Sequence, residues 1–420
     1  MGALLLGADY YGTLAAARAF GAHGIEVIMA DDDRSAIALY SRFVTERRTC
    51  PALTDTDHFL AWLRAQGRAA PRELVLYPTN DHLAWLLAAH RDELMPLFLT
   101  YQPEEATIFG LLDKLRLAGA ASAVGLETPV TKVAESNAAL EDVARSMTFP
   151  LLLKPRTQIF LSSGLKGVLV NSPSELAQKA AAFRRQVDYG RALTERHPEV
   201  TAPLVQEYLP AAETSVFSVS GFRSREGELV VRGAMKVLQR PRKLGIGLCF
   251  EGRALEPDLV QKLDALCARV GYFGTFEAEF IASGERRLLI DFNPRFYSQM
   301  AFDHARGLNH ALLAWAGARG DSAGVASLMN TARAWRSRGD EAYCYRGLLE
   351  LVMKLQRVSG RMSLAQVRHW RTWLGQHRAH LVDAIWSGED PMPTLVDSAH
   401  WVEHMVRHPR SFVRQYVLNQ

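Results

Sequence analysis

The segment GTFEAEFIASGERRLLIDFNPRF (274–296) constrains this chain most, because two apolar runs separated by turn residues can close only as a β-hairpin. Pairing the strands through Ala282–Glu285 sets Glu279 opposite Asp291 and Glu277 opposite Asn293. Side chains alternate faces along a strand, so these four odd-numbered groups share one face. Three carboxylates and an amide oxygen repel one another unless a cation sits among them. An oxygen-only set suits Mg2+ or Mn2+, which keep waters and take their remaining ligands from nucleotide phosphates. A solvated strand face carrying acids is the alternative reading.

The first hundred residues alternate short apolar runs with amphipathic ones: ALLLGAD, YGTLAAARAFGAHG, IEVIMADDD, HFLAWLRAQG, ELVLYPTND and HLAWLLAAHRDEL. Strand, helix, strand at this spacing predicts βαβ units around a parallel sheet. Gly7 and Gly12 resemble half of a dinucleotide fingerprint, but Asp9 stands where the second glycine belongs. The expectation there is a tight turn without a nucleotide. Two helical patterns flank GLETPVTK, and from FPLLLKPR onward the chain is β-rich until the helix PDLVQKLDALCARVG leads into the hairpin. Residues 330–420 read mostly as helices, with 13 Lys and Arg against 8 acids and five of the eight tryptophans.

A total of 49 Lys and Arg against 45 Asp and Glu leaves +4, with no concentrated basic stripe, so nucleic acid is not an expected partner. The four cysteines lie far apart without a CxxC, which argues against a zinc cluster or a disulfide framework. MGALLLGADYYG lacks a basic lead, Leu6 breaks the myristoylation pattern, and no apolar run approaches membrane-spanning length. The expected setting is the reducing cytoplasm.

Lys154 ends the apolar run FPLLLKP, so its ammonium emerges from a buried strand as a fixed charge fit for phosphate oxygens. The loop that follows carries Ser162, Ser163, Gly164, Lys166 and Gly167. Small residues there let backbone N–H groups approach phosphate. A plain hairpin turn has the same composition.

In order, these motifs resemble the ATP-grasp superfamily from about residue 1 to about residue 320. LLDKLRLAGAASAVGLETPVT is similar to the segment whose lysine contacts the nucleotide, here Lys114. FPLLLKP resembles the phosphate-holding strand, with Lys154. LVQEYLP resembles the adenine hinge, formed by Gln206, Glu207, Tyr208 and Leu209, and Glu213 stands where the family has an acid near the ribose. AEF and DFNPR match the metal pair, giving Glu279, Asp291 and Asn293, with Arg295 toward the transferred phosphate. The family usually has Glu at the position of Asp291, and the shorter side chain can change metal spacing. The resemblance implies ATP and Mg2+ (or Mn2+) as cofactors. It also implies an N-terminal Rossmann-like parallel-sheet domain (1–110), a small subdomain (111–205), a large subdomain with the metal site (206–325) and a helical C-terminal extension (326–420).

Ser41–Phe43, YPTNDHLAWLL and GAMKVLQRPRKLGIGLCFEG resemble the carboxylate–amine ligase branch that contains D-aspartate ligase. Lys236 is then placed to reach phosphates, and Gln239–Gly247 to cover the acceptor. AMK is also similar to the biotin-carrying context, but Lys236 lies within an alternating strand rather than at a hairpin tip. Asn80 and Asp81 end a strand where α/β sheets place ligands, and they equally suit an N-cap. His304 and His310 are expected to pack rather than to ligate. The tail suits an anionic membrane surface, a homodimer contact or, as the favoured reading, helices packed on the core.

The implied reaction is amide or peptide bond formation through an acylphosphate, between a small carboxylate and an amine such as an amino acid or peptide. A carboxyphosphate enzyme of the biotin carboxylase or carbamoyl-phosphate type and a non-catalytic nucleotide binder are the rival expectations.

Overall fold

The computed structural model describes residues 1–162, 165–239 and 247–418, arranged around three sheets. The first is all parallel, with strands β1 (Gly2–Leu6), β2 (Glu26–Asp31), β3 (Glu46–Thr49) and β4 (Leu74–Leu76) in the order β3-β2-β1-β4. Helices α1 (Tyr11–Ala22), α2 (Thr56–Ala69) and α3 (Asp81–Ala89) cover its two faces. Alternation sorts the strand residues. Ala3, Leu5, Val27 and Met29 join Leu14 and Phe20 in one core, while Leu4, Leu6, Ile28 and Ala30 join Phe59, Leu63 and Trp85 in the other. Burying both faces is what the near-continuous apolar strands require.

Gly7 turns the chain at φ +72°, and a Cβ on Gly12 would lie 2.5 Å from the Tyr297 carbonyl oxygen. The incomplete glycine pattern therefore serves a turn and the close approach of α1 to the chain beyond the hairpin.

The second sheet is antiparallel, with β5 (Thr131–Val133), β6 (Leu151–Lys154), β7 (Val168–Val170) and β8 (Leu204–Glu207) in the order β5-β8-β6-β7. Leu151 and Leu153 point into its small core with Val143, Leu176 and Phe183. Leu152 and Lys154 consequently face the other way.

The third sheet runs β13-β12-β9-β10-β11-β14-β15. It comprises β9 (Val216–Arg223), β10 (Leu229–Gln239), β11 (Gly247–Arg253), β12 (Gly274–Ser283), β13 (Arg286–Asn293), β14 (Ala342–Cys344) and β15 (Leu381–Asp383). The β12–β13 register sets Glu277 opposite Asn293 and Glu279 opposite Asp291, as expected. Beyond that pair a bulge at Ile290 shifts the register by one residue. The connection is correspondingly tighter than Ala282–Glu285, because Ala282 and Ser283 pair with Arg287 and Arg286. The turn is Gly284–Glu285 alone, with Gly284 at φ +60°, as a two-residue hairpin turn wants at its first central position.

The tail is not purely helical, since β14 and β15 extend the third sheet. Trp370 and Trp373 are buried, so the tail packs on the core. The fully buried Asp390 accepts hydrogen bonds from Arg18 Nε (2.9 Å), Ser41 Oγ (2.8 Å) and the Arg42 N–H (2.8 Å). The Pro-punctuated segment 387–395, a turn that runs into the helix Met392–Arg407, is thus an anchor on the N-terminal layer, and the Ser41–Phe43 segment is its receptor. No helix among the described residues is long and apolar enough to cross a membrane.

Candidate active site

Lys154 leaves β6 on the face opposite the apolar core, and its Nζ donates to Gln206 Oε1 at 3.2 Å. Gln206 pairs with Leu152 on the neighbouring strand, and its own Nε2 donates to Thr131 Oγ1 at 3.0 Å. Burial pushes the Lys154 ammonium down to about 8, and the charge of Lys114 adds to that shift.

Lys114 begins the helix Lys114–Ser122. Asp113 caps that helix, its Oδ1 accepting from the N–H groups of Leu115 (3.0 Å) and Arg116 (2.9 Å). The other Asp113 oxygen holds the buried Arg156 guanidinium, and the Lys114 N–H donates to the Arg156 carbonyl at 3.0 Å. One buried carboxylate therefore fixes both the start of the Lys114 helix and the chain just after Lys154. Lys114 Nζ then reaches Asp291 Oδ1 at 3.0 Å. Burial alone would raise the Asp291 carboxyl, but Lys114, Lys154 and Arg295 together hold it below its ordinary range.

Lys236 reaches the same face from β10, its Nζ 3.0 Å from Glu279 Oε1. Burial opposes the Lys236 charge, yet Glu279 and Glu277 outweigh it and raise the ammonium above its usual value. This buried ion pair is no exposed biotin carrier. Glu277, 5% exposed, accepts from Ser218 Oγ (2.7 Å), Asn293 Nδ2 (3.1 Å) and Gln299 Nε2. Burial, reinforced by the Glu279 charge, pushes Glu277 up to about 7.

Arg295 ties the hairpin to the parallel-sheet layer. Its Nε donates to Asp81 Oδ1 at 2.7 Å, its Nη2 to Asn293 Oδ1 at 3.0 Å and its Nη1 to the Phe296 carbonyl at 3.0 Å. Asn80 is the helix cap, accepting from the Leu83 N–H at 2.9 Å, which leaves Asp81 for Arg295.

In the hinge, Glu207 accepts from the Val130 N–H at 3.0 Å and its own N–H donates to the Val130 carbonyl at 2.9 Å. Tyr208 OH lies 3.4 Å from Glu213 Oε1, and the partly exposed Leu209 leads into the turn Pro210–Glu213. Ser163 and Gly164 lie outside the described residues, as does 240–246 of the stretch expected over the acceptor. Next to the first of these, Phe160 adopts φ +49°, donates its N–H to His82 Nδ1 at 2.7 Å and stacks on that ring at 5.0 Å.

Glu279, Asp291 and Asn293 share one face and offer only oxygen ligands, which fits magnesium chemistry. Among the described residues, however, no three His, Cys, Asp or Glu side chains form a ready cation cage. Lysine ammonium groups neutralise Glu279 and Asp291 instead, and Asn293 bridges Arg295 and Glu277. Asp113, Arg156, His82, Ser218 and Gln299 were not singled out from the sequence. Of these only Asp113 carries a local signal, an aspartate directly before a helix. His310 is fully buried, with its Nε2 2.6 Å from the Tyr297 hydroxyl, which also donates to Asp303. It packs, as expected.

By sequence, no family model and no curated protein matches the chain. By fold, many solved structures do. The fold these structures share with the chain is a mixed α/β and α+β architecture with a parallel-sheet N-terminal layer. One similar structure is the biotin carboxylase domain dimer of Hydrogenobacter thermophilus 2-oxoglutarate carboxylase in complex with MgADP and bicarbonate. Its TM-score is 0.59 at 14% identity, over 80% of this chain and 71% of that one. Another is L-amino acid ligase from Bacillus licheniformis, with TM-score 0.58 and 14% identity over 76% and 75% of the two chains. A third is N5-carboxyaminoimidazole ribonucleotide synthetase from Thermus thermophilus, with TM-score 0.55 and 17% identity over 76% and 78%.

Proposed function

We propose that the protein is an ATP-dependent ligase that joins a carboxylate to an amine, releasing ADP and phosphate. The observation that carries this reading is that Lys114, Lys236 and Arg295 each bond a hairpin side chain, with Lys154 near enough to lower Asp291, in a fold that resembles the ATP-grasp superfamily. A site with four cations and only a few acids suits a reaction between anions, because carboxylate and triphosphate repel each other until their charge is offset.

Lys114 and Lys154 hold the phosphates, the hinge Gln206–Leu209 takes the base and Glu213 the ribose. Ser163 and Gly164 belong to the phosphate loop of this reading. Glu279, Asp291 and Asn293 would hold Mg2+ or Mn2+, which supplies charge neutralisation at the phosphate oxygens. A substrate carboxylate oxygen attacks the terminal phosphorus, the bond to the bridging oxygen breaks, and ADP leaves. The amine nitrogen then attacks the acylphosphate carbon and loses a proton as phosphate departs. Arg295, steered by Asp81, presents a two-pronged donor to the oxygens of the transferred group. Lys236 offsets charge on the same group. Amino acids and peptides are the proposed substrate class.

ADP release is the test, scored over a matrix of amino acids, peptides and small acids, with hydroxylamine added to trap the acylphosphate as a hydroxamate. AMP and pyrophosphate in place of ADP and phosphate overturn the mechanism. The likeness to a biotin carboxylase domain favours carboxyphosphate formation as the second reading. Bicarbonate-dependent ADP release without an amine would select it. Absence of ADP release over the whole matrix would leave a nucleotide-binding protein.

A further inference from the structure

A cavity lies wholly within residues 345–401 and shares no side chain with the site above. It has a volume of about 310 Å³. Its walls come from the helix Arg346–Val358, the chain after β15 and the helix Met392–Arg407. Three aromatic groups line it, Tyr345, Trp386 and Trp401, together with three carboxylates, Glu350, Asp383 and Asp397. Among the described residues Arg346 is the one basic side chain on the lining, 3.9 Å from Glu350.

The carboxylates are built in rather than scattered. Asp397 Oδ2 accepts from the Tyr345 hydroxyl and from Trp401 Nε1 at 3.2 Å, while Trp401 Nε1 also reaches the Tyr345 hydroxyl at 3.0 Å. Its Oδ1 has no donor among the described residues. Asp383 Oδ1 is held by the N–H groups of Ile385 (2.9 Å) and Trp386 (2.8 Å). Burial raises both the Asp383 and Asp397 carboxyls above their ordinary values, against the smaller lowering effects of Arg346 on the first and His400 on the second. Thr394 Oγ1, also on the lining, is buried without a hydrogen-bond partner.

We infer that this cleft binds a small organic cation, a primary ammonium or guanidinium group on a ligand of about amino-acid size. Three carboxylates against one arginine leave a negative surplus, and a cation over indole and phenol faces is favoured wherever water is thin. Carboxylate oxygens already held by indole, phenol and backbone donors, between aromatic walls, suit an organic cation better than a hydrated metal ion. A volume near 300 Å³ lies at the small end of ligand pockets. The Tyr345 ring packs edge-on against Tyr11 of the first helix at 5.2 Å.

The full chain is titrated with L-arginine, agmatine and putrescine, and binding is followed by calorimetry and tryptophan fluorescence. The neutral isosteres N-butylurea and 1,4-butanediol, which carry neither ammonium nor guanidinium, serve as controls. Saturable binding of at least one cation is expected, with affinity about tenfold or more lower in Asp397→Asn and in Glu350→Gln, since each removes a charge facing the ligand. Glu403→Gln, on the same helix but paired outward with Arg407, leaves binding unchanged. Where Asp397→Asn fails to fold, the half-exposed Glu350 decides the matter. No saturable cation binding, equal binding of the neutral isosteres, or undiminished affinity in Glu350→Gln overturns the inference. Consumption of the bound cation in step with ADP release marks it as substrate, and a changed rate without consumption marks it as effector.

Discussion

Lys114 Nζ sits 3.0 Å from Asp291 Oδ1 across 177 residues of sequence, joining the start of a helix to the outer strand of the third sheet. The pair occupies the face where the hairpin gathers its acids, and Lys236 stands against Glu279 in the same way, so Asp291 and Glu279 each have a lysine as counter-ion. Binding a divalent cation at Glu279 and Asp291 must therefore displace or share those ammonium groups, and phosphate oxygens are their natural new partners.

Replacing Glu279 by Gln keeps size and hydrogen bonding but removes one charge from the carboxylate face proposed to hold the metal. Turnover is expected to fall on the order of 100- to 1000-fold, corresponding to about 3–4 kcal/mol of transition-state stabilisation. Glu277→Gln should cost distinctly less turnover. Its buried carboxylate accepts from Ser218, Asn293 and Gln299, so the amide loses stability instead, by about 1–3 kcal/mol. Steady-state kinetics and denaturant unfolding on both variants separate the two roles. A crippled Glu277→Gln beside a mild Glu279→Gln would reverse the assignment.

Asp113→Asn retains the helix cap, since an amide oxygen serves as well as a carboxylate. It strands the Arg156 guanidinium, which is 8% exposed, without its counter-charge. Stability should drop by about 3–5 kcal/mol, with weaker ATP binding because Lys114 and Lys154 lose their common anchor. Chemical denaturation and nucleotide titration read the two effects.

Acid should destabilise the fold before most carboxylates titrate. Burial, with the nearby His310 charge, holds His304 down to about 3, and burial likewise lowers His310. The His304 ring is neutral in the folded chain, whereas the unfolded chain takes up a proton there below about pH 6.5. Its contribution is complete above that pH and declines as pH falls, by about 1.4 kcal/mol per unit while the folded ring stays unprotonated, and the lowered His310 acts in the same direction. Unfolding free energies from pH 7.5 to 5 check the slope, and His304→Gln should reduce it.

The thiols should be silent in the native state. Cys249, Cys267 and Cys344 are buried, Cys267 is pushed up to about 12 by burial, and so is the partly exposed Cys50. A thiol-reactive dye at pH 8 is expected to label almost none of them until denaturant is added, and then all four.

The parallel layer, the hairpin register at Glu277–Asn293 and Glu279–Asp291, and the exit of Lys154 were legible because each rests on a local period of two or on strand–helix alternation. β3 escaped because ERRT is a polar edge strand with no apolar pattern. The three-residue β14 and β15 are too short to show one. The bulge at Ile290 leaves no trace in composition. Asp81 with Arg295, and Asp113 with Arg156, are pairs between residues 214 and 43 positions apart, and side-chain complementarity at such range has no signature in a single sequence.

The Asp390 anchor has a temporal side. It closes on Arg18 across 372 positions and on Ser41 across 349. At a synthesis rate of about 5–20 residues per second, the receptor on α1 and Ser41–Phe43 emerges roughly 20–70 s before its carboxylate exists. Through that interval the N-terminal layer carries an uncovered arginine and an unpaired Arg42 N–H. The long closure adds only a slowly growing entropy cost, so delay rather than loop length limits the step. Docking of the tail therefore waits on the synthesis of residue 390, and a chain stalled before it presents that bare patch to chaperones and proteases.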